Sequence, residues 1–256
     1  MLAAGYATRL RPLTDQVAKP LLPLAGRPML DYLYDRIAEV GEVDEVHVVT
    51  NSRFAEDFRD WTRTVERAVP VVVHDDGTTS NDDRLGAVGD MSFAVERGGL
   101  EGEDLLVVAG DNLIGYRLDE LVSFWRGKGE GAATAVHRVS DRELIRQYGV
   151  VELDENDRVV SLEEKPSEPR SDLAATAAYL YPASLAALIP GYLAAGNSPD
   201  APGNFLVWLH TREPVYAYRF TGDWMDIGDP QQLLDADNLM RERRGLPPRD
   251  EYSLEK

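Results

Sequence analysis

The 256-residue sequence contains no cysteine. Disulfides, thiol catalysis and thiolate zinc sites are therefore excluded. Positive charge is scarce too: 27 Lys and Arg face 45 Asp and Glu, a formal net charge of −18. A general nucleic-acid binder, or a protein that docks on an anionic membrane, needs the opposite balance, because phosphate contacts draw on surplus cations. No apolar run nears the ~18 residues of a membrane span. No basic segment followed by an apolar stretch marks a secretory leader, so the expected location is the cytoplasm. Neither Gly-x-Gly-x-x-Gly nor Gly-Lys-Ser/Thr occurs, which argues against a dinucleotide oxidoreductase and a P-loop ATPase. Repeats and interior linkers are missing as well. A hydrophobic share of 43% is that of an ordinary globular chain.

The first thirty residues, MLAAGYATRLRPLTDQVAKPLLPLAGRPML, are the most telling stretch. A small apolar stub (Leu2, Ala3, Ala4) runs into a turn at Gly5, followed by Thr8, Arg9, Arg11 and Lys19. Small residues let backbone N–H groups approach an anion, and long cations reach over it, so this order suits a loop that wraps a polyphosphate. A strand should precede the turn, yet only Met1 to Ala3 are available for it, so the first strand is expected to be weak.

Downstream, apolar spacing predicts helices over 29–40, 54–68, 85–96, 118–126, 182–195 and 229–244, with a short one at 205–210. Strands are expected at 46–50, 69–73, 104–109, 132–138, 149–153, 159–163, 174–181 and 215–220. Asn156-Asp157 marks a hairpin turn. Apolar strands alternating with helices predict an α/β, Rossmann-like, doubly wound and mostly parallel mixed sheet with helices on both faces. Ligands in such folds sit beyond the carboxyl ends of the strands.

LAAGYATRLRPLT followed by AKPLLP resembles the opening motif of the sugar-1-phosphate nucleotidylyltransferases. The resemblance runs from Leu2 to about Asp237. It implies a single domain over 1–244, with a nucleotide-binding part at 1–130 and a small β-rich acceptor-binding part at 131–228. A polar tail at 245–256 is expected to be loose. Two positions depart from the family pattern. Ala4 replaces one glycine and keeps the loop slim. Ala7 replaces another, and an alanine is expected to serve there only with negative φ.

The resemblance also implies roles. Arg9 and Lys19 are the catalytic cations on the triphosphate. Leu2, Ala3, Ala4, Gly5 and Thr8 line the nucleotide, Gly86 approaches the base, and Asn81 stands near the base-reading glutamine of relatives. Asp111, at the end of LLVVAGDN, and Asp226, in GDWMDIGDP, match the two aspartates that hold Mg²⁺. Asn112, Gly149, Glu164, Lys165 and Thr176 take the acceptor, and Ala177 stands where the family has glycine. Read locally, Gly-Asp-Asn is also a good turn, and Glu163-Glu164-Lys165-Pro166 also a solvated charge run.

The implied reaction moves a nucleoside monophosphate from a triphosphate to a sugar 1-phosphate, releasing pyrophosphate. Two alternatives stay open. One is a cytidylyltransferase for a phosphocholine- or phosphonate-type acceptor, with Trp224 and Tyr179 as candidates for an aromatic cage. The other is a non-catalytic sensor of nucleotides or sugar nucleotides. Expected partners are a nucleoside triphosphate and a phosphorylated small molecule, with no nucleic acid and no membrane. The family often forms dimers or tetramers.

Overall fold

The computed structural model describes residues 1–254. Its regular elements, in chain order, are β1 (Pro23–Leu24), β2 (Arg27–Pro28), α1 (Met29–Ala38), β3 (Val46–Thr50), α2 (Ala55–Arg63), β4 (Val71–Asp75), α3 (Ala87–Gly98), β5 (Leu105–Val108) and β6 (Asn112–Ile114). There follow α4 (Leu118–Lys128), β7 (Ala132–Arg138), α5 (Arg142–Ile145), β8 (Gly149–Leu153), β9 (Val159–Glu164), β10 (Leu173–Tyr181), α6 (Ala183–Ala186) and α7 (Ile189–Ala194). The chain closes with α8 (Pro202–Leu209), β11 (Val215–Arg219), β12 (Trp224–Asp226) and α9 (Pro230–Arg243). It divides into two compact units.

The first unit comprises residues 1–84, 110–115 and 223–254. Its β3 and β4 pair in parallel. The segment before the opening turn joins them: Ala3 N–H donates to Val49 at 2.8 Å and Val49 N–H to Met1 at 3.0 Å. Short β6 pairs antiparallel with β12, which sets Asn112 opposite Asp226. Both strands escaped the sequence reading, because three residues are too few to show a period. Leu10, Leu22, Leu24, Met29, Leu113, Ile227 and Leu233 form one buried cluster.

Three sequence expectations need correction here. The helix expected over 54–68 ends at Arg63. Arg67 turns back to stack on Trp61 at 3.9 Å and to donate to Asp31 at 3.0 Å, drawing the chain out of the helix. Val65, which fitted the apolar period, is consequently 54% exposed. The strand expected at 69–73 runs two residues later, because pairing starts beyond the Pro70 carbonyl, which accepts from Val46 N–H at 2.9 Å. The tail beyond Gly245 is not loose in its described part. Asn238 and Arg249 exchange two hydrogen bonds, at 2.7 and 2.9 Å, and Tyr252 donates to the Pro23 carbonyl at 2.8 Å.

The second unit comprises residues 85–109 and 116–222. Its sheet runs in the order β11-β7-β10-β8-β9, with β5 also on β10. It is mixed: β11 is parallel to β7, whereas β10 is antiparallel to β5, β7 and β8. One edge of β10 therefore changes partner, from β8 at Leu173–Ala174 to β5 at Ala178–Tyr181. Its register against β7 slips at the same place, between Ala175 and Tyr179. Ala177 sits in that slip with φ of 53°, and its carbonyl accepts from Ala109 N–H at 3.0 Å. The helix expected over 182–195 is split in two, since Pro190 can open α7 but cannot continue a helix from α6.

Candidate functional site

In the first unit the opening loop is held from both sides. Asn51, fully buried at the end of β3, donates from its amide to the Ala4 carbonyl at 2.9 Å. Gly110 N–H donates to the Leu2 carbonyl at 2.8 Å. A Cβ at Gly110 would lie 2.9 Å from that same oxygen, so only glycine allows the approach. This contact sets Asp111 beside the loop. Gly5 is open, with nothing within 4 Å of where a Cβ would stand, and Thr8 and Arg9 are exposed.

Ala7 overturns the expectation of negative φ. It is left-handed, with φ of 43° and ψ of 47°. Two bonds to its carbonyl hold it there, from Leu10 N–H at 3.0 Å and from the Thr14 hydroxyl at 2.9 Å. That conformation costs an alanine about 1–2 kcal/mol. The single helical turn Thr8–Leu10 follows directly and carries Arg9. The Arg9 guanidinium lies against Gly228, two residues past Asp226, where a Cβ would come within 3.0 Å of it.

Lys19 is 9% exposed, and its ammonium donates to Asp111 Oδ2 at 2.7 Å. Burial by itself pushes the Asp111 carboxyl up. The Lys19 charge and the hydrogen bonds from Lys19 and Asn112 outweigh it and hold the carboxyl below the usual carboxylate range. Asp226 arrives on β12, and the Asn112 amide nitrogen lies 3.0 Å from Asp111 Oδ1 and 3.4 Å from Asp226 Oδ1. The two aspartates, 115 positions apart in the chain, thus converge on one donor. Asn112 itself is 4% exposed, and its carbonyl end accepts from the Trp224 indole at 2.7 Å. Both ends of the side chain read as an acceptor contact are spent inside the unit.

Asn81 stands in a loop knotted by Asp83, whose carboxylate accepts from the backbone N–H groups of Thr79 and Ser80 and is held down at about 2 by those bonds. Asn81 is exposed, and its backbone carbonyl accepts from Arg84 at 2.7 Å.

The second unit gathers the remaining positions. Gly149 lies opposite Glu164 across β8 and β9. Glu164 Oε2 fills the space over two glycines: it lies 3.0 Å from where a Cβ on Gly149 would stand and 2.6 Å from one on Gly203. Burial raises its pKa, and the charge of Lys165 only partly offsets that. Lys165 is exposed and left-handed, with φ of 51°, and its N–H donates to the Tyr148 carbonyl at 3.0 Å.

Thr176 is 1% exposed; its hydroxyl donates to the Ala135 carbonyl at 3.1 Å and lies 3.3 Å from the Tyr116 hydroxyl. That side chain is structural in its contacts. Gly86 has φ of 79°, and a Cβ there would lie 2.6 Å from the Pro199 carbonyl. The Pro199 and Asp200 carbonyls cap the first turn of α3, accepting from Val88 at 2.9 Å and Ala87 at 3.2 Å. Gly203 and Asn51 were missed from sequence. The Pro202-Gly203 pair after a polar loop was the available signal for the first, and an asparagine closing an apolar strand for the second.

An α/β fold thus carries a loop of small residues with cations and two carboxylates gathered beside it. The chain belongs to the nucleotidyl transferase family, whose profile matches residues 1–243. It is 29% identical over 236 residues to a UTP–glucose-1-phosphate uridylyltransferase of Synechocystis, covering 89% of this chain and 59% of that one. A glucose-1-phosphate thymidylyltransferase of Streptomyces griseus is 28% identical over 267 residues, covering 94% of this chain and 65% of the relative. The chain thus spans less than two thirds of the length of either. A solved UDP-glucose pyrophosphorylase complexed with UDP-glucose has the same fold, with a TM-score of 0.77 at 21% identity and coverage of 95% and 97%.

Proposed function

We propose that this chain is a sugar-1-phosphate nucleotidylyltransferase. An acceptor phosphate oxygen attacks the α-phosphorus of a nucleoside triphosphate; the new P–O bond forms as the bond to the bridging oxygen breaks, and pyrophosphate leaves. Both reactants are anions, so the protein's task is alignment and charge neutralisation rather than nucleophilic catalysis. The observation that carries the reading is the gathering of Lys19, Asp111 and Asp226 beside the Leu2–Gly5 loop.

In this reading the open loop from Leu2 to Thr8 offers backbone N–H groups to the phosphates. Arg9 neutralises the leaving pyrophosphate and Lys19 the α-phosphate. Asp111 and Asp226 would hold a Mg²⁺ ion. Two carboxylates fit that ion, which keeps few protein ligands and completes its shell with phosphate oxygens and water. When bound, it would supply charge neutralisation at the transferring phosphate. In the second unit, Lys165 takes the acceptor phosphate as a point charge, and Glu164, lodged over Gly149, accepts from sugar hydroxyls. Asn81 reads the base with its paired donor and acceptor.

A sugar acceptor is preferred to a quaternary ammonium for two reasons. Glu164 suits hydroxyls, and both aromatic candidates for a cage are engaged elsewhere: the Trp224 indole donates to Asn112, and Tyr179 stacks on Tyr181 at 6.1 Å. The relatives named above carry glucose 1-phosphate in their names.

The test is pyrophosphate release from a panel of triphosphates and acceptors. Turnover with glucose 1-phosphate and UTP or dTTP, lost in Asp111→Asn with the fold retained, is expected. Turnover only with CTP and phosphocholine would replace the acceptor assignment. Nucleotide binding with no turnover on any pair would make the chain a sensor.

A further inference from the structure

We infer that Trp224 is a positioning residue that sets the carboxylate pair through Asn112. The inference rests on the functional reading above and adds a wiring to it. An amide side chain can present either end, but an indole N–H only donates. The 2.7 Å bond from Trp224 Nε1 therefore fixes Oδ1 of Asn112 toward the indole. Its NH₂ end must then face the carboxylates, at 3.0 Å from Asp111 and 3.4 Å from Asp226. One NH₂ group has two hydrogens, one for each acid.

The backbone makes this arrangement possible. Asn112 pairs with Asp226 across β6 and β12, and Trp224 lies two residues before Asp226 on the same face of β12. Trp224 and Asn112 are thus diagonal neighbours, within reach of a long aromatic side chain. Asn112 is 4% exposed, so water is poorly placed to substitute for either partner.

With the indole N–H removed, the carbonyl end of Asn112 loses its anchor, and the amide is free to shift with the two acids it bridges. With the N–H in place, two like charges are held at a fixed spacing before any cation arrives. Partners that orient metal ligands in this way typically change metal affinity 10–100-fold when removed.

The test is a Mn²⁺ titration of the whole protein, following free Mn²⁺ by electron paramagnetic resonance. The variants are Trp224→Phe, Asn112→Leu, the double variant and Asp111→Asn. Trp224→Phe keeps an aromatic side chain, smaller than the indole, and removes the N–H donor. It is expected to weaken Mn²⁺ binding about tenfold, with Asn112→Leu at least as weak and the double variant no weaker than Asn112→Leu alone. Such non-additivity is the signature of one residue acting through another. Wild-type affinity in Trp224→Phe, or losses that simply add, would overturn the inference. If Asn112→Leu does not fold, Trp224→Phe decides alone. The two readings fail separately: full Mn²⁺ binding in Asp111→Asn sinks the metal assignment itself, whereas loss in Asp111→Asn with none in Trp224→Phe sinks only the wiring.

Discussion

Lys19 Nζ and Asp111 Oδ2 are 2.7 Å apart, with the lysine side chain 10% exposed and the aspartate 36%. Burial works against the Asp111 charge, and Lys19 reverses the balance, so the folded pKa is depressed. A depressed carboxylate stabilises the fold above its unfolded pKa, and that stabilisation is lost as pH falls through the folded value. Lys19→Met removes the reversing charge and leaves burial dominant. The carboxylate then destabilises the fold at neutral pH and ceases to do so once protonated. Breaking a fully buried pair costs about 3–5 kcal/mol; the partial exposure of Asp111 reduces the expected cost to about 1–2 kcal/mol at pH 7. Urea unfolding of both proteins should show that gap narrowing toward pH ~4. A gap independent of pH would mean that the lysine stabilises by packing alone.

Two alanines, Ala7 and Ala177, hold left-handed backbones, with φ of 43° and 53°. The family resemblance puts glycine at each of these positions. Ala177→Gly relieves the Cβ penalty of about 1–2 kcal/mol and returns about 0.5–1 kcal/mol in chain entropy. The expected net gain is up to about 1 kcal/mol, read as a raised urea midpoint at unchanged slope. Ala177→Val should lose more than that, because a β-branched side chain fits this region worse than alanine.

Gly203 lies under the Glu164 carboxylate, with only 2.6 Å between Oε2 and the place of an added Cβ. The group in the way is the far end of a flexible side chain, so Gly203→Ala should cost little stability, about 1 kcal/mol or less. It must instead push the carboxylate aside. The expected result is an acceptor KM raised about tenfold, equivalent to ~1.4 kcal/mol, with the triphosphate KM unchanged. Equal effects on both substrates would place Glu164 outside the acceptor site. Gly86→Ala offers the contrast. There the obstructing atom is a backbone carbonyl 2.6 Å away, so that variant should lose stability outright.

What could be read from the sequence follows the range of the forces involved. The local settings of Arg9, Lys19 and Asp111 were legible, in a turn of small residues or at the end of an apolar strand, and the structure brings Lys19 to Asp111. The long helices at Leu118–Lys128 and Pro230–Arg243 were legible from their period, and Asp229 caps the latter as expected, accepting from Gln232 N–H at 2.9 Å. The bond from Asn51 to Ala4 spans 47 residues, and the one from Asn112 to Asp226 spans 114. No window along the chain contains either. The conformation of Ala7 was misjudged for a similar reason: intrinsic preference was outweighed by a hydrogen bond from Thr14, seven residues on.

The same blindness to distant partners made residues beyond Gly245 read as a loose tail, and it leads to a last prediction. Asp237, 1% exposed on α9, accepts from Ala25 N–H at 2.6 Å. Its nearest cation in that segment is Arg249, with Nε 3.6 Å from Oδ2. Arg249 also ties the segment to α9 through the Asn238 amide. Arg249→Met keeps the backbone bonds and most of the packing, and leaves a buried carboxylate without that charge. Losing one partner of a buried pair typically costs about 3–5 kcal/mol. The Ala25 bond still satisfies one oxygen, and the ion pair is longer than a hydrogen bond, so about 2–3 kcal/mol is expected, below that range. Asp237→Asn in the same background should recover part of the loss, because a neutral amide needs no counter-charge. Thermal unfolding of the single and double variants measures both effects. If Arg249→Met melts with the wild type, the C-terminal segment lies on α9 without supporting it.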